Sequence, residues 1–156
     1  MKKYCLDLRV VSVSHLSDHH ALLKLTHDES LPKMIPGQFV EVRIDKSPTT
    51  FLRRPISINY VDLDRNELWL LVAGVGDGTR RLCQSQSGDV INCLLPLGNG
   101  FSQACCLTSL NEEAASCKKV LLVGGGVGVA PLLWQGKKLL QYGCSPSFLL
   151  GARSAK

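Results

Sequence analysis

The chain has 156 residues, 45% hydrophobic and 20% charged, with a formal net charge of +5 at pH 7. That composition excludes a disordered polymer, and the length suits one domain, or a small domain and part of another. The charge is modest, aromatics are 6% and no long basic run occurs, which argues against a nucleic-acid surface.

The N-terminus opens on Lys2 and Lys3 in the manner of a secretion signal, but Asp7 and Arg9 interrupt the apolar run that follows. Residues 4–10 (YCLDLRV) are therefore predicted to be a first strand, with Tyr4, Leu6 and Leu8 on one face. No apolar run approaches the roughly 18 residues of a membrane helix, so no membrane span is expected and the location is read as cytoplasmic. ALLKLTH is the second strand. After the turn MIPGQ comes FVEVRI, with Val40, Val42 and Ile44 on one face. FLRRPISINY (51–60), the polar turn DLDRN, ELWLLVA and DVINCLL complete the series. Short strands separated by turn signals predict an all-β antiparallel barrel or sandwich. Between the last two strands, Gly74, Gly76 and Gly78 lead up to Thr79, and TRRLCQSQ is predicted to be a short helix capped by Thr79.

Residues 104–118 are weakly patterned and read as a linker. From 119 the pattern is β-α-β: an apolar strand, a glycine turn, a helix over about 129–142, and a second apolar strand, SFLLGA. Wholly apolar strands of this kind are buried on both faces in parallel sheets. A single β-α-β unit is too small to close a domain, so a truncated chain or fragment is expected. The expected division is 1–103 barrel, 104–118 linker and 119–156 the start of an α/β nucleotide-binding domain.

The seven cysteines are Cys5, Cys83, Cys93, Cys105, Cys106, Cys117 and Cys144. The set is odd, scattered and without C-x-x-C spacing. That speaks against a disulfide framework, and against zinc or an iron–sulfur cluster within this chain.

Three features ask for a phosphate-bearing ligand. Arg53 and Arg54 sit with Pro55 and Ser57 inside an apolar strand, and arginine's planar fork suits bidentate phosphate contacts. The competing reading is an edge strand with solvated arginines. Gly76-Asp77-Gly78-Thr79 lets backbone approach closely at a helix start, where free N–H groups point outward; the competing reading is a plain glycine turn. VGGGVGVAP (123–131) follows an apolar strand and opens a helix, the context of a dinucleotide-binding turn, although it is not G-x-G-x-x-G. Here the competing reading is a tight strand-to-helix turn.

An Arg-Pro-Ile-Ser strand, a Gly-Thr helix start and a Gly-Gly-Gly-x-Gly-x-x-Pro turn, in that order, resemble the ferredoxin-NADP reductase superfamily. RRPISI, GDGT, PLGNGF and GGGVGVAPLL together resemble, more narrowly, the electron-transfer subunits of bacterial dihydroorotate dehydrogenases. The resemblance covers essentially the whole chain. It implies a flavin-binding barrel followed by a nucleotide-binding α/β domain. It implies that Arg54 binds the FAD pyrophosphate, that Pro55 and Ile56 lie against the flavin, and that Ser57 faces the reactive edge of the ring as the catalytic hydroxyl. A bulge near Pro55 would reconcile Arg54 and Ser57, which strict alternation places on opposite faces. Leu71, Val72 and Ala73 would give backbone and apolar contacts, and Gly78 and Thr79 would hold phosphate. Gly124, Gly125, Gly126 and Gly128 are the candidate NAD(H) contacts.

The same resemblance implies electrons passing from NADH through FAD and a [2Fe–2S] cluster. They would go to or from the flavin of a dihydroorotate dehydrogenase catalytic subunit, a step of pyrimidine biosynthesis. The four cluster cysteines are expected in a C-terminal segment of the full-length protein. This chain is expected to hold no metal and to work poorly with NADH alone. Two alternatives stand beside this reading. One is another flavoprotein subunit of the superfamily, of hydrogenase or glutamate-synthase type. The other is a non-catalytic flavin-binding module.

Overall fold

The structure, a computed structural model, describes residues 2–45, 47–101 and 119–152. The segment read as a linker, with Cys105, Cys106 and Cys117, lies outside the described residues. Six strands close into an antiparallel barrel: β1 (Tyr4–Ser17), β2 (His20–Thr26), β3 (Phe39–Val42), β4 (Arg54–Asp62), β5 (Glu67–Ala73) and β6 (Val90–Leu97). Their order around the barrel is β1-β2-β5-β4-β3-β6. A short helix, α1 (Asp77–Cys83), intervenes between β5 and β6.

The alternation read in the sequence is what fills the barrel. Leu8, Ala21, Leu23, Leu25, Val40, Val42, Ile58, Leu68, Val72, Cys93 and Leu95 are wholly buried, and Leu6 and Ile44 pack against them. β1 runs seven residues past the predicted end. Its first half pairs with β6 (Tyr4↔Leu95 to Arg9↔Val90) and its second with β2 (Arg9↔Thr26 to Ser17↔His20). A register slip between Val10 and Ser12 bends the strand where it changes partner. The PLGNGF segment closes over the MIPGQF turn. Phe101 N donates to Pro36 O at 2.9 Å, and Gly37, at φ +92°, leaves no room there for a side chain.

The second unit is β-α-β as expected. β7 (Lys119–Gly125) pairs in parallel with β8 (Ser145–Gly151), and α2 (Leu132–Gln141) crosses between them. The predicted helix start at about 129 is corrected: a 3-10 turn occupies Gly126–Val129, and α2 begins only after Pro131. The expectation of strands buried on both faces also fails here. Leu122 is buried against Leu132, Leu139 and Cys144, whereas Leu121 and Val123 stay 61% and 62% exposed. One helix on a two-stranded sheet covers one face.

The two units meet on β4. Trp134 of α2 joins the barrel's core cluster. Tyr60 stands edge-on to both Trp69 and Trp134, with ring centroids 5.2 and 6.5 Å away. Lys24 lies over the Trp69 ring and Lys137 over Tyr60, each at 4.1 Å. No helix of the described residues is long and apolar enough to cross a membrane.

Two outcomes follow from this core. Ile58→Ala is expected to lower unfolding free energy by about 2–5 kcal/mol in urea titration, because Ile58 is wholly buried. Burial pushes the Cys93 thiol up to about 12. Native protein should therefore leave Cys93 unalkylated at mildly alkaline pH, while exposed Cys5 reacts. The raised folded value makes the Cys93 contribution complete below the ordinary thiol range of about 8.5, and that contribution declines as pH climbs toward the folded value.

Candidate functional site

β4 has β3 on one side and β5 on the other, so the edge-strand reading of its arginines is excluded. The two arginines differ in what they touch. Arg53 Nη1 donates to Glu41 O and Asn92 O, both at 3.2 Å, and its Nη2 donates to Asn92 Oδ1 at 2.5 Å. Asn92 is buried and in turn donates to Asp7 Oδ1 at 2.6 Å. Arg53 therefore ties β3, β6 and β1 together. Arg54 Nη1 reaches only main-chain carbonyls next to it, Leu52 O at 3.2 Å and Arg53 O at 3.4 Å. Among the described residues no carboxylate pairs with it.

The first turn of α1 comes down on Arg54. A Cβ built on Gly78 would stand 3.1 Å from Arg54 Nε, 3.1 Å from Thr50 Cγ2 and 3.2 Å from Ile44 Cγ1. A side chain here would be tight against all three, and its neighbours would have to give by a few tenths of an ångström. Thr79 is not the helix cap: the cap position is Gly76 and Thr79 is three residues further on. The Thr79 hydroxyl accepts from Gly76 N and donates to Gly76 O, each at 3.1 Å, so it is committed to its own turn. Beside it, Arg80 donates to Asp77 Oδ1 at 2.6 Å, and this bond holds the Asp77 carboxyl below the usual carboxylate range.

Along β4, Ile56 is buried and Pro55 and Ser57 are exposed on the outer face. Arg54 has the inward parity of Ile56 but stands at the strand's first position, where the barrel opens. The expected bulge near Pro55 is absent: β3 and β4 pair in regular register from Phe39↔Ser57 to Val42↔Arg54. The irregularity lies further on, between Ile58 and Tyr60, against β5. β5 runs antiparallel from the Ile58↔Leu70 pair, which brings its end back toward the start of β4. Of its three candidates, Val72 is wholly buried in the barrel, while Leu71 and Ala73 are partly exposed.

The glycine turn is reached from the same side, since its 3-10 segment lies against β5. Its glycines have two uses. A Cβ on Gly124 would meet Leu132 Cδ1 at 2.7 Å, so this residue serves close packing of strand on helix. Gly126 and Gly128 face open space, and Gly126 has φ +53°. Sequence reasoning missed Asn59. It is buried, and its Nδ2 donates to Ala130 O at 2.7 Å, at the end of that turn. The available signal was a change of phase in PISINYV, where apolar residues fall at 56, 58 and then 61.

No family model matches the chain. Among curated proteins it is similar to the dihydroorotate dehydrogenase B (NAD(+)) electron transfer subunit of Shouchella clausii, at 40% identity over 76% of this chain and 43% of that protein. With the subunit of the same name from Bacillus pumilus the identity is 35%, over 96% of this chain and 55% of the relative. The chain spans about half the length of the curated relatives it matches. Among solved structures, an NADH-dependent reduced ferredoxin-NADP oxidoreductase superposes with a TM-score of 0.75 at 26% identity, over 94% of this chain and 49% of that one. The ferredoxin reductase of carbazole 1,9a-dioxygenase superposes with a TM-score of 0.78 at 18% identity, over 99% of this chain and 44% of that one, a likeness of fold.

The unequal surroundings of the two arginines have a measurable consequence. Arg53→Ala should cost roughly 1.5–3 kcal/mol of stability in ligand-free urea titrations, because Asn92 and two carbonyls lose a charged donor. Arg54→Ala should stay within about 0.5 kcal/mol of the parent.

Proposed function

We propose, from the premise that this chain is a homologue of the dihydroorotate dehydrogenase B electron transfer subunits over the stretch it spans, that it is the FAD-binding part of such a subunit. In the whole protein, electrons would pass between NAD(H) and the flavin of a dihydroorotate dehydrogenase catalytic subunit.

The observation that carries this reading is Arg54. Among the described residues the Arg54 guanidinium has no acidic partner, and it stands at the barrel mouth close under Gly78, where a Cβ would sit 3.1 Å from its Nε. The residues present fit a flavin dinucleotide. Arg54 supplies a forked cation for the pyrophosphate, and the main-chain N–H groups of Gly78 and Thr79 lie beside it. Thr79 contributes backbone only, its hydroxyl being engaged. Pro55 and Ser57 present an outer surface for the ring, and the Ser57 hydroxyl is free to donate to a ring heteroatom. Ile56 and Val72 support that surface from inside the barrel, and Leu71 and Ala73 border it. Bound FAD supplies the exchange between two-electron and one-electron chemistry. The exposed backbone at Gly125, Gly126 and Gly128 is the proposed approach for the nicotinamide nucleotide, with Gly124 holding the turn in shape. The [2Fe–2S] cluster implied by the resemblance is assigned to the whole protein. Among the described residues, no group of three His, Cys, Asp or Glu side chains is arranged to hold a metal ion.

The test is a fluorescence titration of the purified chain with FAD. Uptake is expected, and Arg54→Ala should weaken it at least about tenfold, the equivalent of losing one charge-assisted contact of roughly 1.5–3 kcal/mol. A folded chain that takes up no FAD at saturation would overturn the reading. Equal binding by Arg54→Ala and the parent would remove Arg54 from the site.

A further inference from the structure

Between Ile58 and Tyr60 the register of β4 against β5 slips by one residue. Ile58 pairs with Leu70 and Tyr60 with Trp69, which leaves Asn59 as the extra residue of a bulge. The bulge reverses the alternation. Ile56 and Ile58 are buried before it and Val61 after it. Two successive residues, Asn59 and Tyr60, therefore leave the barrel on the same side, and both meet the second unit. Tyr60 packs on Trp134, and Asn59 Nδ2 donates to Ala130 O at 2.7 Å. Asn59 and Ala130 are 7% and 1% exposed, so water does not compete for this bond. Ala130 also closes the glycine turn, its N donating to Val127 O at 3.0 Å. At the other end, Asn59 is two strand residues, roughly 7 Å, from Ser57 on the outer face.

We propose that Asn59 is a positioning residue. Its amide stations the turn of residues 124–130 at a set distance from the outer face of β4, so that a ring resting on Pro55 and Ser57 meets a turn already in place. The identity of that ring as a flavin rests on the reading above; the stationing of the turn does not.

The variants Asn59→Leu and Asn59→Asp separate the possibilities. Leucine keeps the size and removes the donor. Aspartate restores the donor only when protonated; once ionised it sets two acceptors against the Ala130 carbonyl. In cofactor-free Asn59→Leu, backbone amides of 126–130 should exchange with solvent about tenfold faster than in the parent, the equivalent of one buried bond. FAD affinity should stay within about threefold, since Arg54 is remote from the change. The emission yield of bound flavin should rise as the turn leaves the ring. With exchange expressed as protection relative to the intrinsic rate at each pH, Asn59→Asp should behave as the parent at low pH and as the leucine variant at high pH, with the parent flat over the same range. Its behaviour at low pH shows that the variant still folds.

Unchanged exchange in both variants overturns the proposal, and so does faster exchange with an unmoved flavin yield. A parent chain that takes up no FAD sinks the functional reading instead, and the exchange measurement, made without cofactor, then decides the stationing on its own.

Discussion

A closed barrel has no edge, and each strand can offer the outside only every second side chain. That constraint governs everything the site can use. A side chain leaves the barrel from the outward parity, from the mouth where inward parity ends, or from a bulge that breaks the alternation. Ser57 and Pro55 come from the first source, Arg54 from the second and Asn59 from the third. The strand that carries all of them is paired on both sides, like every strand of the barrel, and is filled beneath by Ile56, Ile58 and Val61. The spacing of Arg54, Pro55, Ser57 and Asn59 is thus set by the barrel itself.

Much of this was legible in the sequence because its causes are local. Period-two alternation marked Val40 and Val42, and an apolar strand ahead of a glycine turn marked the β-α-β unit. The resemblance singled out Arg54, but the structural task of Arg53 was not legible. It depends on Asn92, 39 residues further on, being turned toward one arginine and not the other. Nor was the bulge position, since placing it requires knowing that β4 pairs with β5 and where the register slips. Thr79 misled for a related reason. Threonine caps helices well, but Gly76 can take the extended backbone of a cap while Thr79 bonds back to it from the first turn.

The glycine turn shows how one motif can mix packed and open positions. A Cβ at Gly124 would crowd Leu132 of the helix and Val129 of the turn, whatever the turn binds. Gly126 and Gly128 meet nothing. A glycine pattern read as a single nucleotide signature thus divides into a packing requirement and an open approach.

The chain's two tryptophans both touch Tyr60, one from the barrel and one from the second unit. All indole emission therefore arises at a single seam. Prising the two units apart would hydrate Trp134, now 6% exposed, and move its emission to the red even with every barrel strand intact. Melting that begins at the far side of the barrel, around β1 and β6, would be nearly dark to this fluorophore until it reached the seam. A transition followed by indole emission and one followed by backbone circular dichroism report different events here. Their coincidence or separation distinguishes one cooperative body from two that part before they melt.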